Sequence, residues 1–505
     1  MGTTGQSISR IMDMKLEDVL QGVEVIAGSG EALPGISHIA CHTRKVRSGT
    51  LFFALRGAKS DGNEFVVPAI ERGAVAIASE AARQESLPAG IAWIQVREGR
   101  KALATAAANF YGHPAQVLQL VAVTGTNGKT TVTHLVDSIV KATGAKTGMF
   151  GTIAYHTPQG DYPAPNTTPE SVDLQGFFAE IRDAGGKYAV LEASSHSLAM
   201  DRLWGCRFDA AAFTNLTREH MDFHKTFEDY FAAKRRLFEG TGAGRPAWGV
   251  VNTDDPYGVR LAGMAGKTLT YGLEGAPELT TKKFQLSFKG LSFIAQTPAG
   301  RITIESPLVG RINVYNILAA IGAALALGIS TDAIQAGVAG LKSVAGRFQR
   351  VEMGQPFLVI VDYAHTDDAL ENLIRTAREL NPKGRVIALF GCGGEKDRTK
   401  RPVIGEVSGR LSDLVVVTSD NPRSEDPLKI ISDVVVGLQK GQGKYVIEPD
   451  REKAIGLALD EARAGDIVLL AGKGHETTQV LREGIIEWSD DGQAQQALRR
   501  RGFGT

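Results

Sequence analysis

Gly125-Thr126-Asn127-Gly128-Lys129-Thr130-Thr131 has the residue types and spacing for chemistry on phosphate. An apolar run at 117–123 precedes it, and Val132, Leu135, Val136, Ile139 and Val140 follow at i, i+3, i+4, i+7 and i+8. Strand, glycine-rich turn and amphipathic helix therefore come in order. Such a turn offers backbone N–H groups to phosphate oxygens, and the helix N-terminus adds about half a positive charge. Lys129 would reach the β- and γ-phosphates of a nucleotide, and the Thr130 hydroxyl a Mg²⁺ ion. Two residues rather than four separate the glycines, which shortens the general phosphate-loop pattern. A Gly-Lys-Thr triplet alone marks no more than a helix start; the flanking strand and helix give it the phosphate reading.

Other reactive residue types stand at the ends of apolar runs. Glu192 follows the run 188–191 in Leu191-Glu192-Ala193-Ser194-Ser195-His196, and the runs 209–213 and 248–251 also end in polar residues. Farther on, runs at 357–361, 386–390, 414–418 and 467–471 lead into Asp362-Tyr-Ala-His365, Gly391-Cys-Gly-Gly394, Asp420-Asn421-Pro422-Arg423 and Gly472-Lys-Gly-His-Glu476. Taken singly these residues have plainer readings: Glu192 as a surface or salt-bridged carboxylate, Asp420 to Arg423 as a turn, and Lys234, beside Arg235 and Arg236, as a solvated helix lysine.

The elements that must position them form an α/β protein. At 505 residues and 43% apolar the chain has room for roughly three domains, each with its own core. The spacing predicts a small α/β unit over 1–112, a central phosphate-loop unit with a mostly parallel sheet over 113–344, and a Rossmann-like unit over 345–505. His113-Pro114 forms the first link, because proline cannot continue a helix, and the second lies near 341–346. Asp426 with Pro427 behind it predicts a helix start.

Composition narrows the partners. Fifty-six Lys and Arg balance fifty-six Asp and Glu, so no global charge draws the chain to nucleic acid or anionic lipid. Three cysteines without a CxxC spacing fit a reducing cytoplasm rather than a disulfide framework. The apolar run 317–329 is short of the ~20 residues that span a bilayer and reads as a buried helix. No apolar leader is visible near the start, and Gln6 stands where a myristoylation signal needs Ser or Thr. A cytoplasmic monomer without membrane or nucleic-acid partners is expected.

The shortened loop, Glu192, Thr214-Asn215-Leu216 leading to His220-Met-Asp-Phe-His224, Gly310-Arg-Ile-Asn313-Val-Tyr-Asn316, Gly346-Arg347-Phe and Asp362-Tyr-Ala-His365 together resemble the Mur ligase family over nearly the whole chain. The resemblance implies ATP-dependent amide-bond formation in peptidoglycan precursor synthesis, by way of an acyl phosphate. It implies one Mg²⁺ held by Thr130 and Glu192, a second held by His220, and Lys234 carbamylated by CO₂ as a further metal ligand. Asn316 would contact the adenine with His224 in support, and Arg347 and Asp362 would reach the nucleotide from the third unit.

Asp420-Asn421-Pro422-Arg423 resembles the segment of family members that add meso-diaminopimelate to UDP-MurNAc-L-Ala-D-Glu. The extra carboxylate that separates this amino acid from lysine suits the fork of Arg423. Gly472 and Glu476 would hold its amino end, and Lys396 stands where relatives usually carry arginine, leaving the carboxylate a point charge or a share of Arg398. For the UDP-sugar peptide the resemblance points to Asn166-Thr167-Thr168, Ser194, Met200 and Arg202, and in the first unit to Thr43, Ala58, Lys59 and Ser60. Thr168 with Pro169 behind it also reads as a helix N-cap. The alternatives are an L-lysine-adding relative, a folylpolyglutamate synthetase and, in a different class, a phosphate-loop ATPase with a regulatory role.

Overall fold

The computed structural model describes residues 13–29, 34–57, 60–85, 87–88 and 90–504. The expected three-unit α/β architecture is what the chain adopts. The first sheet runs Val25–Ser29, Ala92–Val96, Ala74–Ser79, Thr50–Ala54, His38–Ala40, parallel except for the Val25–Ser29 edge. The Ala-rich helix Gly99–Phe110 buries Ala102, Leu103, Ala106 and Ala107 in its core. At His113, whose φ is 52°, the chain turns toward the next sheet.

The central sheet has eight strands in the order Gly160–Pro163, Ala154–Thr157, Thr147–Phe150, Tyr188–Glu192, Gln119–Thr124, Ala210–Phe213, Trp248–Asn252, Lys267–Tyr271. The last six are mutually parallel, and the first two form an antiparallel hairpin on the edge. Both faces are covered, which is why Leu120 to Val123, within Gln119–Thr124, are apolar without alternation. Val121 and Val123 join the core beneath the helices Lys129–Ala142 and Ile312–Ala326, whereas Leu120 and Ala122 join the one beneath Ser171–Asp183 and Phe227–Glu239. The run read as a buried helix lies mostly within Ile312–Ala326, and Ile317 to Ile321 are fully buried. No described helix is long and apolar enough to cross a membrane. A separate antiparallel sheet, Phe284–Ser287, Gly290–Thr297 and Gly300–Ser306, was not expected from the sequence; in Gly300–Ser306 buried Ile302 and Ile304 alternate with exposed residues.

The third sheet runs Gln349–Arg350, Leu358–Asp362, Ile467–Ala471, Val386–Phe390, Leu414–Val417, Tyr445–Ile447, parallel beyond its first strand. The four apolar runs that predicted this unit are its central strands, so their polar loops gather along one edge. Asp426 caps the helix Pro427–Gly441 by accepting from Leu428 N at 2.9 Å, as the sequence predicts.

Candidate active site

The phosphate loop is bent by its two glycines. Gly125 has φ 141° and Gly128 φ 88°, and a Cβ would lie 1.9 Å from Thr214 Oγ1 at the first and 2.5 Å from Asn316 Oδ1 at the second. Glycine is required by both backbone angle and space. Neighbouring polar groups hold the curve: Asn127 N donates to Asn215 Oδ1 at 2.9 Å, and Thr214 Oγ1 donates to Asn127 O at 2.6 Å. Lys129 Nζ folds back to Thr126 O at 2.7 Å. Thr131, on the first turn of the following helix, lines the same cleft of about 500 Å³ as Thr126 to Thr130.

Glu192 ends its strand fully buried in that cleft. Its carboxylate accepts from Thr152 N at 2.9 Å and Thr152 Oγ1 at 3.1 Å, and no described cation pairs with it. Lys234, on the helix Phe227–Glu239, is 1% exposed and donates to Gly125 O at 2.7 Å. Burial, then the charge of Lys129, holds its pKa well below the usual lysine value, against the pull of Glu219. Burial likewise lowers His220 to about 4, opposed by Glu219. Burial pushes the Glu219 carboxyl up, but the hydrogen bond from His365 Nε2 at 3.1 Å and the charges of His220, His365 and Lys129 outweigh it, and its pKa lies far below the usual range.

The third unit closes the cleft. Arg347 Nη2 donates to Thr130 Oγ1 at 3.2 Å, and Asn127 Nδ2 donates to Asp368 Oδ2 at 2.7 Å. Asp362 is held by Phe348 N at 2.6 Å and Ala364 N at 2.8 Å, and Asn316 donates to Asn313 Oδ1 at 2.9 Å on the opposite wall. A second cavity of about 260 Å³ is lined by Lys396, Asp420, Asn421, Arg423, Gly472 and Glu476 among others. Glu219, His220, Tyr363 and His365 line both cavities, so a phosphate-binding site and a charged pocket of amino-acid size meet at one imidazole-carboxylate cluster.

The chain matches three Mur ligase domains: the Mur ligase family catalytic domain over 35–111, the middle domain over 123–324, and the glutamate ligase domain over 346–474. It is 51% identical to a UDP-N-acetylmuramoyl-L-alanyl-D-glutamate–2,6-diaminopimelate ligase of Solibacter usitatus, covering 93% of this chain and 94% of the relative. The chain belongs to the Mur ligase family. A relative of the same name from Geobacter sulfurreducens is 44% identical, over 96% and 99% of the two chains. A solved structure of a ligase of that name superimposes with a TM-score of 0.67 at 30% identity, covering 97% of this chain and 100% of the other.

In this Mur ligase the residues singled out on sequence fall into three groups. Thr126 to Thr131 of the phosphate loop, Glu192, His220, Lys234, Asn316, Arg347 and Asp362 share the larger cleft, together with Thr167 and Ser194. The surface reading of Lys234 and of Glu192 is overturned by their burial. The second group, at the smaller cavity, includes Lys396, whereas Arg398 is drawn away to Glu425 at 3.1 Å; the Pro422 carbonyl packs against Gly394, 2.0 Å from where a Cβ there would sit.

The described members of the third group line neither cavity. Thr168 Oγ1 donates to Glu192 O at 2.7 Å, and Arg202 donates to Thr168 O at 3.0 Å and pairs with Glu170. The N-cap of the helix Ser171–Asp183 is Glu170 rather than Thr168. Asn166 accepts from the Tyr155 hydroxyl, and Met200 ends the helix Ser195–Ala199. Thr43 and Ser60 lie in the first unit, and Ala58 and Lys59 fall outside the described residues. His224 packs edge-on against His196 at 5.7 Å and tilted against Tyr230 at 5.2 Å, without a hydrogen bond to Nε2 from the described residues. Sequence reasoning gave no role to Thr152, Glu219, His365 or Asp368. Glu219 stands directly before His220 and His365 ends the segment that Asp362 begins, so adjacency was the available signal; Asp368 reads simply as a favourable charge in a helix first turn.

Proposed function

We propose that this protein joins meso-diaminopimelate to UDP-MurNAc-L-Ala-D-Glu, converting ATP to ADP and phosphate in peptidoglycan precursor synthesis. The supporting observation is the meeting of the two cavities at Glu219, His220, Tyr363 and His365, with the phosphate loop on one side and Arg423 on the other. A carboxylate oxygen of the acceptor attacks the γ-phosphorus as its bond to ADP breaks. The amine then attacks the acyl carbon, loses a proton, and the C–O bond to phosphate breaks. Both anions repel before the first step, and Lys129 and Arg347 supply fixed positive charge there. The three units are read as serving the UDP-sugar peptide, ATP and the amino acid in chain order.

The donor set fits Mg²⁺. Glu192 is a fully buried carboxylate with hydrogen bonds but no cation against it, and Thr130 and His220 line the same cleft. No group of three acidic, histidine or cysteine side chains forms an all-protein cage among the described residues, as expected of an ion that is bound largely through substrate phosphates. When bound, Mg²⁺ neutralises phosphate charge. Lys234, a buried amine with no carboxylate of the described residues paired to it, is the residue we assign to CO₂ capture as a carbamate; this replaces a costly buried cation with an oxygen donor. With ¹³C-bicarbonate, the protein should show a carbamate carbon resonance that Lys234→Ala loses; a spectrum that the substitution leaves unchanged would reject the assignment. The enzyme is read as a cytoplasmic monomer.

The acyl-phosphate route is tested with acceptor carboxylate labelled in both oxygens with ¹⁸O. One labelled oxygen should appear in each phosphate released, and unlabelled phosphate would rule the route out.

A further inference from the structure

Lys473 belongs to none of the roles above. Its side chain is fully buried, and it lies beneath the amino-acid pocket rather than lining it. Nζ donates to Glu476 Oε2 at 2.8 Å and to Asn421 Oδ1 at 3.1 Å. Asn421 is fixed from every side: Oδ1 also accepts from Val480 N at 2.9 Å, and Nδ2 donates to Glu476 Oε2 at 2.9 Å. Glu476 therefore has one oxygen committed to two donors, while its Oε1 accepts no hydrogen bond from the described residues. A buried ammonium is costly unless it is paired and hydrogen-bonded, and a methionine would fill the same space without that cost. The cation therefore needs a reason, and its two partners are both pocket residues.

The loops themselves are fastened separately. Buried Arg451 pairs with buried Asp490 and donates to Ser419 O at 3.1 Å and Ala471 O at 3.0 Å, the carbonyls just before Asp420 and Gly472. Loop placement thus does not depend on Lys473, which sets side chains.

We propose that Lys473 is a positioning residue for the incoming amino acid, locking Asn421 and Glu476 so that Glu476 Oε1 is presented to the substrate ammonium. This rests on the reading of the smaller cavity as the meso-diaminopimelate site. Steady-state kinetics on the full chain test it. Lys473→Met should raise the KM for meso-diaminopimelate at least tenfold, leaving kcat within threefold and the KM for ATP and for UDP-MurNAc-L-Ala-D-Glu within twofold. Glu476→Gln should raise the same KM, and the double variant should go no further than Glu476→Gln alone, because the lysine acts through the carboxylate. An unchanged KM in Lys473→Met, or effects that multiply in the double variant, would overturn the proposal. If Lys473→Met does not fold, Lys473→Gln retains a donor and should raise the KM about threefold, and no change there is equally decisive. A wild-type protein that uses a different diamino acid overturns the reading of the cavity, while the same KM comparison made with that amino acid still decides the role of Lys473.

Discussion

Arg423 shows what a single residue contributes beyond its charge. Its φ is 54°, a left-handed conformation that costs an ordinary side chain roughly 1–2 kcal/mol, and the strain is retained at the lining of the smaller cavity. Nη1 donates to Gly394 O at 2.7 Å and to Asn421 O at 3.3 Å. An incoming carboxylate would meet an aimed fork. Arg423→Lys should therefore raise the KM for meso-diaminopimelate at least tenfold, about 1.4 kcal/mol, with the KM for ATP unaffected; steady-state titration of each substrate checks this. Arg423, Lys129 and Glu192 were legible in the sequence because each sits in a segment with a recognisable order of residue types. Glu219 and Lys473 were not, since their roles come from neighbours 146 and 52 residues away, His365 and Asn421.

At the scale of elements, the four innermost strands of the third sheet and four adjoining strands of the central sheet were legible because buried parallel strands are continuous apolar runs, and the loops after them carried the polar residues; Thr147–Phe150, Lys267–Tyr271, Gln349–Arg350 and Tyr445–Ile447 were not anticipated. The hairpin Ala154–Thr157 with Gly160–Pro163 and the sheet 284–306 were missed because short, half-exposed strands give a weak alternating signal. The helix Lys400–Leu411 depends on an ion pair that sequence spacing does not announce. Its Arg401, 1% exposed, donates to both oxygens of Glu425 and to Asp433. The hydrogen bond from Arg401, with help from Glu395 N, lowers Glu425 from 4.5 to about 2. A carboxylate depressed in the folded state contributes stability that is fully present above its unfolded pKa and is lost as pH falls toward the folded value. Glu425→Gln should thus unfold several degrees below the parent protein at pH 7, and the deficit should shrink as pH drops from 4.5 toward 2. A deficit independent of pH in calorimetry would show that packing, not charge, is what the substitution removes.

For the molecule as a whole, zero net charge means that positive charge has to be concentrated locally to hold small anions. In the proposed function Lys129, Arg347 and Arg423 do this from two different units, and the bridges Arg347–Thr130, Asn127–Asp368 and His365–Glu219 draw the third unit onto the phosphate loop. The division into α/β units was legible from length and alternation; the joining of the two cavities was not, because it depends on how separate sheets face each other. The central claim, a ligase whose ATP use waits for one particular diamino acid, is tested most directly by phosphate release with UDP-MurNAc-L-Ala-D-Glu and Mg-ATP while the amino acid is varied. Release should depend on meso-diaminopimelate and remain at background with L-lysine or with no amine, whereas release without an amine, or a preference for L-lysine, would contradict it.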